Sequence, residues 1–358
     1  MKLLEPLDIG TLVLPNRIVM APMTRSRADD AGRVGPLHVT YYRQRAAAGL
    51  IVSEGINISS QAIGSPFTPG IYNEAQVAAW RPVTSAVHAA GGRIFGQLWL
   101  TGRVGHALVR GGELPVAPSA VRIEGQQHFT PSGPRDYETP RELSTAEVLG
   151  VISDYRTAAE NAKIAGFDGV ELHGAFGYLP NQFLVDASNK RTDEYGGSIA
   201  RRCRFVLEVL RGLVDVWGPS RVGVKLSPVI PYNGMVDSDP RALFAFLIES
   251  LNGLPLAYLH LMEAMFPLDK FPTWPKDALG TFGPFYRGTI ITNGGYDRDK
   301  AEAVVASGAA RLVSFGSPFV ANPDLVRRFE LGAELAKPDR ATMYGGGEKG
   351  FTDYPTLG

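Results

Sequence analysis

GVELHGAFGYLPNQFLVDASNKRTDEYGG, residues 169–197, is the stretch on which the fold turns. It opens as a short apolar strand, Gly169 to Leu172, and breaks at once into His173, Gly174, Phe176, Gly177 and Tyr178. No strand or helix interior favours that run. A buried strand that ends in polar groups presents them to a ligand, and in parallel-strand folds the carboxyl ends are where ligands bind and chemistry is done. His173 and Tyr178 are therefore the first candidates for chemistry.

Outward from this stretch the same pattern recurs. Arg17 to Ala21, Leu50 to Glu54, Arg93 to Leu98, Val222 to Leu226, Tyr258 to Met262, Thr289 to Thr292 and Leu312 to Phe315 read as further buried strands. Between them apolar residues fall at helical spacing, over Val39 to Ala48, Ala75 to Ala90, Ala146 to Ala165, Ala200 to Trp217, Arg241 to Leu251, Lys300 to Ser307 and Pro323 to Leu331. Ser144 with Glu147 marks a helix start, and Gly91, Gly166, Gly218 and Gly308 follow helix ends. Strands too apolar to face water, alternating with helices, imply an α/β fold: one closed parallel (β/α)8 TIM barrel spanning residues 1–358. An open doubly wound sheet is the alternative, but the glycine-rich phosphate loop it needs after its first strand is missing. Asp8 to Leu14, alternating around Gly10, predicts a hairpin that plugs the barrel bottom. The connection from Thr101 to Leu143 is roughly forty residues long, and loops of that length in compact domains are functional or mobile, so residues 101–143 are expected to form a lid. The glycine-rich tail after Pro338 is expected to fold back over the barrel as ordered loop.

Composition narrows the function. Lys plus Arg number 36 and Asp plus Glu 36, with no basic run, which argues against nucleic acid and anionic membrane as partners. Cys203 is the one cysteine, so there is no disulfide framework and no thiolate cage. The opening MKLLEPLDIG lacks the apolar core of a signal peptide and no run approaches a membrane span, so the expected location is cytoplasmic.

In a barrel, the residues just past the strands converge on one site. These are Pro22, Met23 and Thr24; Glu54 and Gly55; Gln97 and Trp99; His173 and Tyr178; Lys225; Met262 and Glu263; Asn293, Gly294 and Gly295; and Gly316 and Ser317. The set lacks the histidine cage of a metal hydrolase. It offers neutral donors, one cation, aromatic walls and glycine turns after the last two strands, where barrels commonly hold a phosphate. A flat heteroaromatic cofactor with a phosphate tail fits such a site.

LPNRIVMAPMTRSRA at 14–28, SEGINIS at 53–59, QLWLTGR at 97–103, HGAFGYL with the following NQF and NKRTDEYGGS, ANPDLV at 321–326, and the closing YGGG and FTDYP together resemble the old yellow enzyme family. The resemblance implies an FMN-dependent ene-reductase that uses NADH or NADPH to reduce the carbon–carbon double bond of enones and related activated alkenes. It further implies that Thr24 bonds the flavin near its C4 carbonyl, that Gly55 lets backbone approach the ring edge, and that Gln97 bonds the pyrimidine end. Pro22, Met23, Asn293, Gly294, Gly295, Gly316 and Ser317 complete the cofactor site. Lys225 stands where the family usually has Arg, at the ring edge that carries negative charge when reduced. A salt bridge to Glu263, or a Schiff-base role, is the competing reading of that lysine. By the same resemblance His173 donates to the substrate carbonyl, hydride from flavin N5 reaches the β-carbon, and Tyr178 gives a proton to the α-carbon. Trp99 and Tyr344 are expected as pocket walls.

Two positions depart from the family pattern. Phe176 stands where a second carbonyl donor, His or Asn, is usual, and Ser317 where Arg usually grips the phosphate; Arg298 or Arg311 is the candidate substitute. These departures leave other readings open: a flavin barrel that isomerises or desaturates, or a non-catalytic binding protein with weakened FMN affinity.

Overall fold

The computed structural model describes residues 1–357. A parallel barrel closes on itself from β1 (Ile18–Met20), β2 (Leu50–Asn57), β3 (Ile94–Trp99) and β4 (Gly169–Gly174) through β5 (Val222–Leu226), β6 (Tyr258–Met262), β7 (Ile290–Asn293) and β8 (Leu312–Phe315). Closure is made by β8 pairing with β1, Phe315 opposite Met20. The expected (β/α)8 barrel is therefore the observed one.

Each strand reads as wholly apolar because both of its faces are covered. Val19, Leu50, Val52, Phe95, Tyr258, Ile291 and Leu312 pack in one cluster with Leu7, Ile9, Leu12 and Leu14. The last four come from the antiparallel hairpin Leu7–Ile9 and Leu12–Leu14, which plugs the barrel from below as expected. The alternate strand residues, such as Ile18, Ile51, Ile94, Val170, Val224 and Leu259, join the larger core beneath the helices. Toward the carboxyl end the inward positions turn polar. Gln97, Glu171, His173, Lys225, His260 and Ser314 are all buried.

The outer layer contains α1 (Pro36–Gln44), α2 (Glu74–Ala89), α3 (Thr145–Ile164), α4 (Ile199–Trp217), α5 (Pro240–Leu251), α6 (Ala278–Phe282), α7 (Arg298–Ser307) and α8 (Leu325–Leu331). Ser144 caps α3 in a reciprocal box with Glu147. The glycines after α2, α3, α4 and α7 all take positive φ: Gly91 at 79°, Gly166 at 86°, Gly218 at 75° and Gly308 at 79°. The sequence pattern had not marked α6. It is five residues long, too short for periodicity, and is started by side chains: Asp277 accepts from Gly280 N, while Glu263 accepts from Ala278 N at 2.8 Å and Leu279 N at 2.9 Å.

The 101–143 connection is ordered into a hairpin, Gln127–Thr130 with Gly133–Asp136, and a short parallel pair, Val116–Ala117 with Arg141–Glu142. The tail after Pro338 does fold back. Arg27 donates to the carbonyls of Thr342, Met343, Gly347 and Lys349, Arg25 to those of Met343 and Gly350, and Phe351 stacks on Tyr41 at 4.1 Å.

Candidate active site

The carboxyl face of the barrel opens into a cleft of about 1170 Å3. Pro22, Met23, Thr24, Gln97, Trp99, His173, Phe176, Tyr178, Lys225, Asn293, Gly294, Gly295, Gly316, Ser317 and Tyr344 all line it, as does Met262. Gly55 does not. A Cβ there would lie 2.6 Å from Trp99 Cε3, so the close approach this glycine permits is to the Trp99 indole. Glu54 also turns away. The β2–β3 register shifts between Val52 and Gly55, and the bulge sends the Glu54 carboxylate outward to Tyr42 Oη and Arg25 N, each at 3.3 Å. Buried there, its carboxyl is pushed up to about 7. Glu263 caps α6 instead of pairing with Lys225, and neither Arg298 nor Arg311 reaches the cleft lining.

On one wall three aromatic rings form a box. His173 and Tyr178 lie 4.7 Å apart between centroids at 76°, and Trp99 meets Tyr178 edge-on at 5.0 Å. Tyr178 is held as the N-cap of the short helix Leu179–Leu184, where Gln182 ties Thr101 and Gly177 together through its amide. Burial pushes the Tyr178 hydroxyl above its ordinary value. His173 is 8 % exposed, and burial with Lys225 and His260 nearby holds its imidazole well below the usual range, hence neutral. Its Nδ1 and the Trp99 Nε1 are buried without a hydrogen-bond partner.

Phe176 projects beside this box, 6.4 Å from the His173 ring at 86°. Its φ is 56°, in the left-handed region where a bulky residue is a genuine outlier. The backbone is pinned there, the Phe176 N–H donating to Ser227 Oγ at 3.0 Å and its carbonyl accepting from Asn233 Nδ2 at 2.8 Å. Lys225 Nζ sits 6.0 Å from the Phe176 ring centroid. Burial lowers the Lys225 ammonium to about 8, against the opposing pull of Glu171.

A polar chain runs from the cleft lining at Gln97, through Glu171 and His260, to the lining again at Ser314. Gln97 donates to Glu171 Oε1 at 2.8 Å, Glu171 Oε2 meets His260 Nδ1 at 2.9 Å, and His260 Nε2 meets Ser314 Oγ at 2.7 Å. Sequence reading passed over Glu171, His260 and Ser314. The available signal was Glu171 and His173 two apart on a strand otherwise apolar. It also passed over Val104, His128, Phe129 and Tyr137 from the long connection, and Tyr232 and Asn233 after β5, all of which line the cleft.

The sequence profile described as the NADH:flavin oxidoreductase / NADH oxidase family matches residues 2–336. The chain belongs to this family, the old yellow enzymes. It is 44 % identical over 360 residues to 12-oxophytodienoate reductase 1 of Oryza sativa subsp. japonica, covering 99 % of this chain and 93 % of that one. Among solved structures, morphinone reductase in complex with tetrahydroNAD superimposes with a TM-score of 0.94 at 47 % identity, covering 100 % of this chain and 98 % of that one. The old yellow enzyme homologue from Zymomonas mobilis gives 0.95 at 40 % identity, covering 100 % of each chain. As an old yellow enzyme family member the protein is an FMN-dependent NAD(P)H oxidoreductase, which removes a non-catalytic role from consideration. Among the described residues no helix is long and apolar enough to cross a membrane, and no cluster of metal-ligating side chains occurs.

Proposed function

We propose that this old yellow enzyme reduces the carbon–carbon double bond of α,β-unsaturated carbonyl compounds, with Tyr178 as proton donor and a one-armed carbonyl clamp. The observation that carries the reading is the Trp99–His173–Tyr178 box facing the same cleft as the buried ammonium of Lys225. The donor set fits FMN. Lys225 is a buried cation with no carboxylate oxygen within 4.0 Å among the described residues, Thr24 and Gln97 offer a hydroxyl and an amide, and Gly294, Gly295, Gly316 and Ser317 line the cleft edge. When bound and reduced by nicotinamide, FMN supplies the hydride.

His173, held neutral, donates a ring N–H to the substrate carbonyl and draws electrons from the double bond. Tyr178 stays protonated through the neutral range and passes its hydroxyl proton to the α-carbon as the β-carbon is reduced. Phe176 cannot donate, so the carbonyl oxygen keeps one hydrogen bond where two are usual in the family. With Val104, His128, Phe129 and Tyr137 in the cleft lining, the 101–143 segment serves as its lid and excludes water from the reacting atoms. Exclusion of water strengthens each of these contacts.

The test is spectroscopic. Purified protein is expected to be yellow, to bleach anaerobically with NADH or NADPH, and to be reoxidised by a cyclic enone with a saturated product. Bleaching without reoxidation by any enone, or an isomerised product, overturns the assignment. Added FMN at 100 times its Kd should raise the stability of the apoprotein by about 2.7 kcal/mol, read from thermal or urea unfolding.

Lys225 gives the site a pH limit that an arginine would not have. Burial lowers its ammonium to about 8, so the charged form that the acceptor edge of the ring favours is present below that pH and is lost above it. FMN affinity should be level in the neutral range and weaken above about pH 8, by at most about tenfold per pH unit. Lys225→Arg, with its far higher proton affinity, should hold affinity level to about pH 10. Fluorescence titration of FMN across pH reads both variants, and parallel curves would remove Lys225 from the ring edge.

A further inference from the structure

Inside the polar upper layer of the barrel lie a buried anion and a buried cation, and neither touches an opposite full charge. Glu171 is 0 % exposed, and its two oxygens are taken by the Gln97 amide and the His260 imidazole. Lys225 is 3 % exposed, with no carboxylate oxygen within 4.0 Å among the described residues. They stand on neighbouring strands and the same face: the β4–β5 register sets His173 against Lys225 and Glu171 against Gly223. The β5–β6 register sets Lys225 against His260, the partner of Glu171.

A charge withdrawn from water without compensation neutralises itself by shifting its proton equilibrium. The titratable groups facing Lys225 are few. From β4 come Glu171 and His173, from β6 Tyr258 and His260, and Tyr178 lies across the cleft. Burial and then Lys225 hold His260 below its ordinary value; burial, Lys225 and His260 do the same to His173, so both rings are neutral near pH 7. Burial keeps Tyr258 and Tyr178 protonated. Glu171 alone in this group supplies a negative charge. Burial raises its carboxyl, but the net shift is downward, with the hydrogen bonds from His260 and Gln97 and the Lys225 charge acting against burial.

We propose that Glu171 is the counter-ion that holds Lys225 in its charged form at the cleft, a positioning residue that reaches the cofactor through the lysine and through Gln97. The Gln97 amide is oriented by the same carboxylate, so one side chain sets both a charge and a donor. An arginine at residue 225 would stay charged without help. With lysine there, the charge depends on what lies behind it.

The proposal rests on Lys225 facing FMN only for its effect on the cofactor, and the test separates the two. Lysine side chains labelled at Cε with carbon-13 report the Lys225 titration by NMR in the purified protein, the signal being assigned by its loss in Lys225→Arg. In the wild type Lys225 is expected to be charged at pH 7. Glu171→Gln keeps the shape and an acceptor for Gln97, and should lower the Lys225 midpoint by at least one pH unit. The alkaline loss of FMN binding should move down with it, while Glu171→Gln in a Lys225→Arg background should leave FMN binding level with pH. A merely structural Glu171 would move neither midpoint. An unmoved NMR midpoint overturns the counter-ion role. A moved NMR midpoint with unmoved FMN binding keeps that role and rejects the placement of Lys225 against FMN. If Glu171→Gln does not fold, Glu171→Asp, whose carboxylate stands one methylene farther back, should lower the Lys225 midpoint; a wild-type Lys225 found neutral at pH 7, or an unmoved midpoint in a folded Glu171→Asp, overturns the proposal.

Discussion

Tyr178→Phe is expected to lower the rate of enone reduction by about 10²- to 10⁴-fold, the range associated with removing a positioned acid. Bleaching by nicotinamide should stay close to wild type, because no proton from Tyr178 enters that half-reaction. The substitution is well suited to separating the two. The ring keeps its edge contacts to Trp99 and His173, and the backbone at residue 178 is fixed by the short helix that follows it. Anaerobic stopped-flow of the two half-reactions is the measurement. Equal slowing of both would place the proton source elsewhere. Because burial raises the hydroxyl, wild-type enone reduction should show no loss attributable to Tyr178 ionisation below about pH 10.

Phe176→Asn should act in the opposite direction, raising the rate with a simple cyclic enone by about 100-fold, the equivalent of one restored oxyanion donor near 3 kcal/mol. The local backbone is already suited to it. Asn tolerates left-handed φ where Phe at 56° is strained, and the hydrogen bonds to Ser227 and from Asn233 that fix the turn involve only main-chain atoms of residue 176. The new amide therefore projects beside His173, where the ring now stands 6.4 Å away. Steady-state kcat/KM for the two proteins decides it. A variant that folds, binds FMN and gains nothing would mean that the carbonyl is not held beside residue 176.

The barrel was legible because it is written in elements that carry their own signal. Eight apolar runs, a capped α3 and glycines at helix ends need no tertiary information to be recognised. Short elements were not: α6, Leu179–Leu184 and Ser317–Ala321 each span fewer than two turns and are started by neighbours distant in sequence or by proline. The cleft lining was largely legible for the same reason as the barrel, since strand ends converge once closure is granted. Gly55 and Glu54 escaped because a one-residue bulge in β2 reverses which side chain faces inward, and strand alternation assumes that no such bulge occurs. The Gln97–Glu171–His260–Ser314 chain joins strands β3, β4, β6 and β8, and nothing within any one strand announces the other three.

The fastening of the tail has a practical side for anyone reshaping this enzyme. Arg25 and Arg27 grip residues 342–350 by carbonyl oxygens alone, which every amino acid possesses. Met343 and Tyr344, which stand at the mouth with Tyr344 63 % exposed, can thus be randomised without loosening the strap that carries them. A library confined to those two codons samples substrate preference while leaving the scaffold intact.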